Sequence, residues 1–133
     1  MFKKTFVCFL FVWIMCVGCE RQTPETFVID QFKKTLHDPK SLEVISVETS
    51  ELNWRYIGVF PSEVYHKMRA KELANGDPFT VFHIQFRASN AFGALRLSDI
   101  YAVYGYGVIT SDAHSESGDT FGRFCYFVDP KSK

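Results

Sequence analysis

The pattern of apolar and polar positions changes character along the chain. An unbroken apolar run from Phe6 to Val17 opens it. A helical period follows, in which Val28, Ile29, Phe32 and Leu36 share one face, Thr23 caps and Pro24 takes the first helical position. Asp38-Pro39 is the predicted stop, because the residue before a proline is pushed out of the α region. From Ser41 the period becomes two. Leu42 to Glu48 and Leu52 to Gly58, the latter with Trp54 and Tyr56 on one side, predict two strands ending before Phe60-Pro61. Ser62 then caps a second helix, Glu63 to about Asn75, with Val64, Met68 and Leu73 on its apolar side and Asn75-Gly76 as its stop.

The clearest strand runs from Phe79 to Ala88. Thr80, Phe82, Ile84, Phe86 and Ala88 line one face, and Phe79, Val81, His83, Gln85 and Arg87 line the other. Asn90-Ala91-Phe92-Gly93 predicts a tight corner, with glycine free to take a positive φ. Leu95 to Leu97, Ile100 to Thr110 and Phe121 to Val128 complete the strands, and Ser111 to Thr120 is a polar loop. These elements predict an α+β domain: an N-terminal helix packed on a twisted antiparallel sheet of about five strands, with a second short helix as an insertion.

The opening run has a different meaning. Lys3 and Lys4 precede it, and it is shorter than the roughly 20 residues of a membrane-spanning helix. It ends in Val17-Gly18-Cys19, where small Gly18 gives a peptidase access to the backbone. This segment resembles the lipobox of bacterial lipoproteins, with Cys16 where leucine is usual. The resemblance implies cleavage before Cys19 and a lipid on its thiol. Residues 1–18 then form the signal peptide, 19–23 a lipidated tether and 24–133 a single domain held close to a membrane. Glu20, in place of aspartate, implies the outer membrane, facing the periplasm, in a Gram-negative host.

Two further stretches carry a resemblance. Leu36-His37-Asp38-Pro39-Lys40-Ser41 and Arg87-Ala88-Ser89-Asn90-Ala91-Phe92-Gly93-Ala94 are similar to segments of small bacterial envelope proteins, many of them lipoproteins of unknown function. The resemblance implies one helix on a small sheet, with the Glu63 to Asn75 helix as an insertion, and brings no activity with it.

Charge and cysteine use fit an exported chain. The 133 residues hold fifteen basic and fifteen acidic side chains, and loss of Lys3 and Lys4 leaves residues 19–133 slightly acidic. With no Lys/Arg run longer than a pair, no nucleic-acid partner is expected. Cys8 and Cys16 leave with the signal and Cys19 carries lipid, so Cys125 keeps the one thiol and no intrachain disulfide forms. Its setting, Phe124 to Val128, is that of a small buried hydrophobe.

Candidate chemistry is sparse. His37, His66, His83 and His114 are scattered without metal-ligand spacing, and neither a phosphate-cradling glycine loop nor a nucleophile elbow occurs. No enzyme activity, metal or cofactor is predicted. Asp112, His114, Glu116 and Asp119 offer ligand atoms, but without calcium-loop spacing they read as a solvated loop. His83, inside a strand, reads as a satisfied, partly buried histidine. The candidate partner-binding residues are Arg87, as a handle for a carboxylate, with Asn90 and Phe92 beside it. Asn90 and Gly93 also have a plain role in shaping the corner. Of the seventeen aromatic residues after Cys19, most must fill the core, while Trp54 with Tyr56, and Tyr101 with Tyr104 and Tyr106, are candidates for a recognition surface. Two functions are expected from these features. One is a non-enzymatic membrane-anchored module that binds an envelope protein or wall component. The other is an inhibitor or exclusion factor acting on an envelope enzyme, toxin or receptor through the Ser111 to Thr120 loop.

Overall fold

The computed structural model describes residues 22–107, 109–110, 112–115 and 122–132. Five antiparallel strands form one sheet: β1 (Glu43–Glu51), β2 (Thr80–Ser89), β3 (Leu95–Tyr106), β4 (His114–Ser115) and β5 (Arg123–Val128), in the order β1-β2-β3-β5-β4. Helix α1 (Pro24–Lys33) covers one face, and α2 (Ser62–Asn75), inserted between β1 and β2, lies on the other. The α+β architecture with an inserted second helix is therefore as the pattern predicted.

Helix α1 begins where its chemistry dictates. The Thr23 hydroxyl accepts the Thr26 N–H at 3.3 Å, and Pro24 occupies the first turn. Phe27 and Val28 are buried against Phe82, Ile84, Ala102 and Cys125, and the buried Phe32 ring meets Phe86 at 4.8 Å and Phe127 at 5.6 Å. The helix stops at Lys33, short of Asp38, because tight turns replace it: the Thr35 N–H donates to Phe32 O at 2.9 Å and its hydroxyl donates to the same carbonyl. Asp38-Pro39 then opens a single 3-10 turn, Pro39–Ser41.

Three other boundaries differ from expectation. Leu52 to Gly58 is not a strand, since the Asn53 side chain accepts the Arg55 N–H at 3.0 Å and starts a 3-10 turn at Trp54–Tyr56. Side-chain capping by asparagine offers that backbone an alternative to a ladder. Leu95 to Tyr106 is one continuous strand, and the predicted polar loop contains β4, which pairs His114 with Cys125. Leu73 is exposed on α2, whose buried residues are Val64, Tyr65 and Met68.

The second core lies under α2 and covers only one end of its face. Leu52, Phe60, Val64, Tyr65 and Met68 pack on Phe79, Val81, Val103 and Phe124. Here Gly105 is required for space: a Cβ on it would stand 2.0 Å from the Phe79 ring, which crosses its backbone directly. Further along the same face, the register aligns Glu48, His83 and Tyr101, then Ser46, Gln85 and Asp99, then Glu43, Arg87 and Leu97. Those outer rows are polar, and α2 does not reach them.

Candidate functional site

The long axis of the sheet has two unlike ends. At one end Arg123 donates to the Gln22 carbonyl at 3.1 Å while its guanidinium lies 4.8 Å from the centre of the Phe27 ring. The Gln22 side chain in turn donates to the Asp30 carboxylate. The start of the domain is thereby fastened beside Tyr106 and Arg123, which pair across β3 and β5. At the other end, the β2–β3 hairpin carries Asn90, Phe92 and Gly93, separated from the first end by the length of β2, roughly 30 Å at ~3.3 Å per residue.

The three candidate partner-binding residues fall on this hairpin end, in different roles. Asn90 builds the corner: its Oδ1 accepts the N–H of Phe92 at 3.0 Å and of Ala94 at 3.1 Å, and Gly93 turns with φ 79°. Arg87 has a carboxylate partner within the chain, Glu43 on β1 at 3.4 Å, in an exposed pair. Such pairs contribute little, about 0–1 kcal/mol. Phe92 stands at the tip, 94% exposed, and Leu95 and Leu97 are 61% and 65% exposed on the hairpin behind it. The two leucines escape a reading by motif. Strand alternation alone gives the signal, because Leu95 and Leu97 share the face of Arg87 and lie beyond the reach of α2.

The two segments that carried the envelope-protein resemblance meet at this end. Ser41 donates to the Asp38 carbonyl at 2.7 Å, and its oxygen accepts the Ser89 N–H at 2.9 Å. One hydroxyl thus joins the 3-10 turn after Asp38 to the last residue of β2.

Midway along the α2 face lies a second constellation that sequence reading did not assemble. His83 Nε2 is 2.9 Å from Asp99 Oδ2, and His83 Nδ1 is 3.8 Å from Glu48 Oε2. A carboxylate only accepts, so the ring nitrogen facing Asp99 is the donor of that bond, and the other ring nitrogen faces the Glu48 carboxylate. The imidazole stacks on Tyr101, with centroids 4.4 Å apart and planes 11° from parallel. Tyr56 leans on Tyr101 from the 3-10 turn and exchanges a hydrogen bond with Ser50. Glu48, Ser50, Tyr56, His83 and Tyr101, with Arg55 and Val59, line an open cleft of about 300 Å³ beside β1. Burial, and then the neighbouring Asp99, Tyr56 and Glu48, push the Tyr101 phenol up from its usual range. His83 is the satisfied, partly buried histidine the sequence suggested, but its partners come from three strands. The hairpin register contains part of this: a corner at Asn90–Gly93 sets His83 opposite Tyr101 and diagonal to Asp99.

The remaining candidates separate. Tyr101 points to the α2 face, whereas Tyr104 is buried on the α1 face against Phe27, so the tyrosines of β3 do not form one surface. Trp54 is 72% exposed with the Arg55 guanidinium 5.8 Å from its ring, while Tyr56 is turned inward. Cys125 is fully buried, and burial pushes its thiol up to about 12. Of the Ser111 to Thr120 loop, residues 112–115 are described apart from the flanking turn at Thr110, and His114 is tied into β4 with its ring against Phe127. Glu116 and Asp119 lie outside the described residues, as do residues 1–21, on which the expected signal segment and Cys19 fall. Among the described residues there is no group of three His, Cys, Asp or Glu side chains able to hold a metal, and no helix long and apolar enough to cross a membrane. Comparison with protein-family models, with curated proteins and with solved structures finds no match for the chain.

Proposed function

We propose that the protein is a lipid-anchored module of the bacterial envelope that binds a partner, an envelope protein or wall component, without catalysing a reaction. Cys19 carries the anchor, and the β2–β3 hairpin end is the binding end. The observation that supports this most is the polarity of the sheet. Gln22 is fastened at one end by Arg123, while Phe92, Leu95 and Leu97 are exposed at the opposite end. A tether of residues 19–23 would hold the fastened end near lipid and carry the hairpin roughly 30 Å outward. Exposed aromatic and aliphatic side chains rimmed by a charged pair are the composition of a protein-contact patch. The one thiol left to the anchored chain is sealed in the core, which removes it as a nucleophile.

Photo-crosslinking in the native envelope tests the reading. A crosslinker in place of Phe92 gives a discrete protein or wall adduct, and the combined Arg87→Ala and Phe92→Ala substitutions abolish partner capture while the fold is retained. Cys19→Ala releases the protein from the membrane fraction. Unchanged capture by the double variant would exclude the hairpin as the binding end.

A further inference from the structure

The sheet has an open edge. Strand β1 pairs with β2 alone and has no neighbour on its outer side among the described residues. Nine residues long, it presents a row of outward N–H and C=O groups over roughly 30 Å. Edges of this length are commonly blunted with lysine, proline or bulges; β1 has no lysine or proline, and its one irregularity, between Val44 and Ser46, leaves Ser46 to Glu51 in regular register. Its charged residues are Glu43, Glu48 and Glu51. The edge also runs along the cleft, since Glu48 and Ser50 belong to both.

We propose that the β1 edge and the cleft are one site, which takes an extended basic peptide segment of a partner as an added strand and lodges one lysine or arginine side chain against Glu48 and His83. The main-chain groups of the peptide would complete the ladder, the general mode of strand addition. The side-chain chemistry comes from the cleft. Glu48 supplies an exposed carboxylate at the edge, and Asp99 holds the His83 ring in place beside it. Tyr56 and the stacked His83 and Tyr101 supply aromatic surface. A carboxylate with aromatic walls suits an ammonium or guanidinium group. Arg55, the cation at the rim, is drawn over Trp54. A second copy of the chain is a poorer occupant. Antiparallel pairing of β1 with itself sets glutamates of both strands along one seam, and the register shift between Val44 and Ser46 interrupts the ladder twice. This surface is distinct from the hairpin tip, so it stands or falls separately from the binding end proposed above.

The test uses the full chain in detergent and three synthetic nine-residue Thr/Val peptides that carry Lys, Gln or Glu at the centre. Amide exchange is followed residue by residue. The Lys peptide slows exchange at alternate β1 amides, and the Gln peptide binds roughly tenfold more weakly. Glu48 is 82% exposed, so Glu48→Lys leaves the fold intact, verified from the unchanged protection of β2 and β3. This variant loses the Lys peptide and prefers the Glu peptide. Two results overturn the proposal: saturating Lys peptide that leaves β1 exchange unchanged, or equal affinity of the Lys and Gln peptides for the wild-type chain.

Discussion

The fastened end and the hairpin end of the same sheet are built on opposite principles. Around Gly105 every element is locked to another. Phe79 crosses the Gly105 backbone, its N–H donates to Glu72 at 2.8 Å, Glu72 pairs with Arg69, and Arg123 holds the entry of α1. Around Asn90 the backbone is locked and the side chains are not. The corner is closed by its own hydrogen bonds, and Phe92 touches little beyond solvent. In one small domain, then, stability and display are assigned to different places, and substitutions at the two ends should separate them.

The largest loss is expected at the fastened end. Phe124→Ala removes a fully buried ring from the α2 core and costs about 3–5 kcal/mol, read from the urea midpoint. Gly105→Ala costs about 1–3 kcal/mol by driving a methyl into the Phe79 ring. Ser41→Ala, midway in effect, strips the Ser89 N–H of its acceptor and costs about 1–3 kcal/mol, weakening the attachment of the α1–β1 connection to the hairpin. At the hairpin tip, Phe92→Ser with Leu97→Ser changes stability by no more than about 0.5 kcal/mol while abolishing partner capture. Equal destabilisation at both ends would dissolve the distinction.

Alkaline pH probes the buried core at the fastened end. Burial pushes Tyr104 and Cys125 each up to about 12, from ordinary values of 10.0 and 9.0. In the unfolded chain both ionise first, so the folded state binds more protons between about pH 9 and 12. Their contribution to stability is complete below pH 9 and is lost as pH rises toward 12. Chemical denaturation at stepped pH should show the midpoint falling over that window, and Tyr104→Phe should shrink the fall. Cys125 should resist maleimide at neutral pH until the protein unfolds.

Sequence periodicity revealed the architecture wherever burial is one-sided. The Phe82, Ile84, Phe86 alternation gave β2, and Thr23-Pro24 with the Phe32 face gave α1, since each of those patterns follows directly from a helix or strand laid on a core. Periodicity misled at Trp54 and Tyr56, where alternation came from a capped turn rather than a ladder, and at Leu73, which the α2 pattern placed inward. The candidate site was legible in parts. Phe92 stood out as an aromatic in a turn, while Asn90 proved to be the turn itself. The Glu48, His83 and Asp99 grouping was hidden because it needs a cross-strand register, which the irregularity between Val44 and Ser46 shifts by one residue on β1.

The proposed anchoring is directional: Cys19 would hold the Gln22 end to lipid and carry Phe92 outward. Spin labels at Phe92 and at Tyr106, half-exposed on the fastened end, in protein anchored to vesicles test it directly. A lipid-dissolved relaxation agent should quicken relaxation of the label at 106 and leave that at 92 unaffected. Equal exposure of both labels, or stronger relaxation at 92, would contradict it.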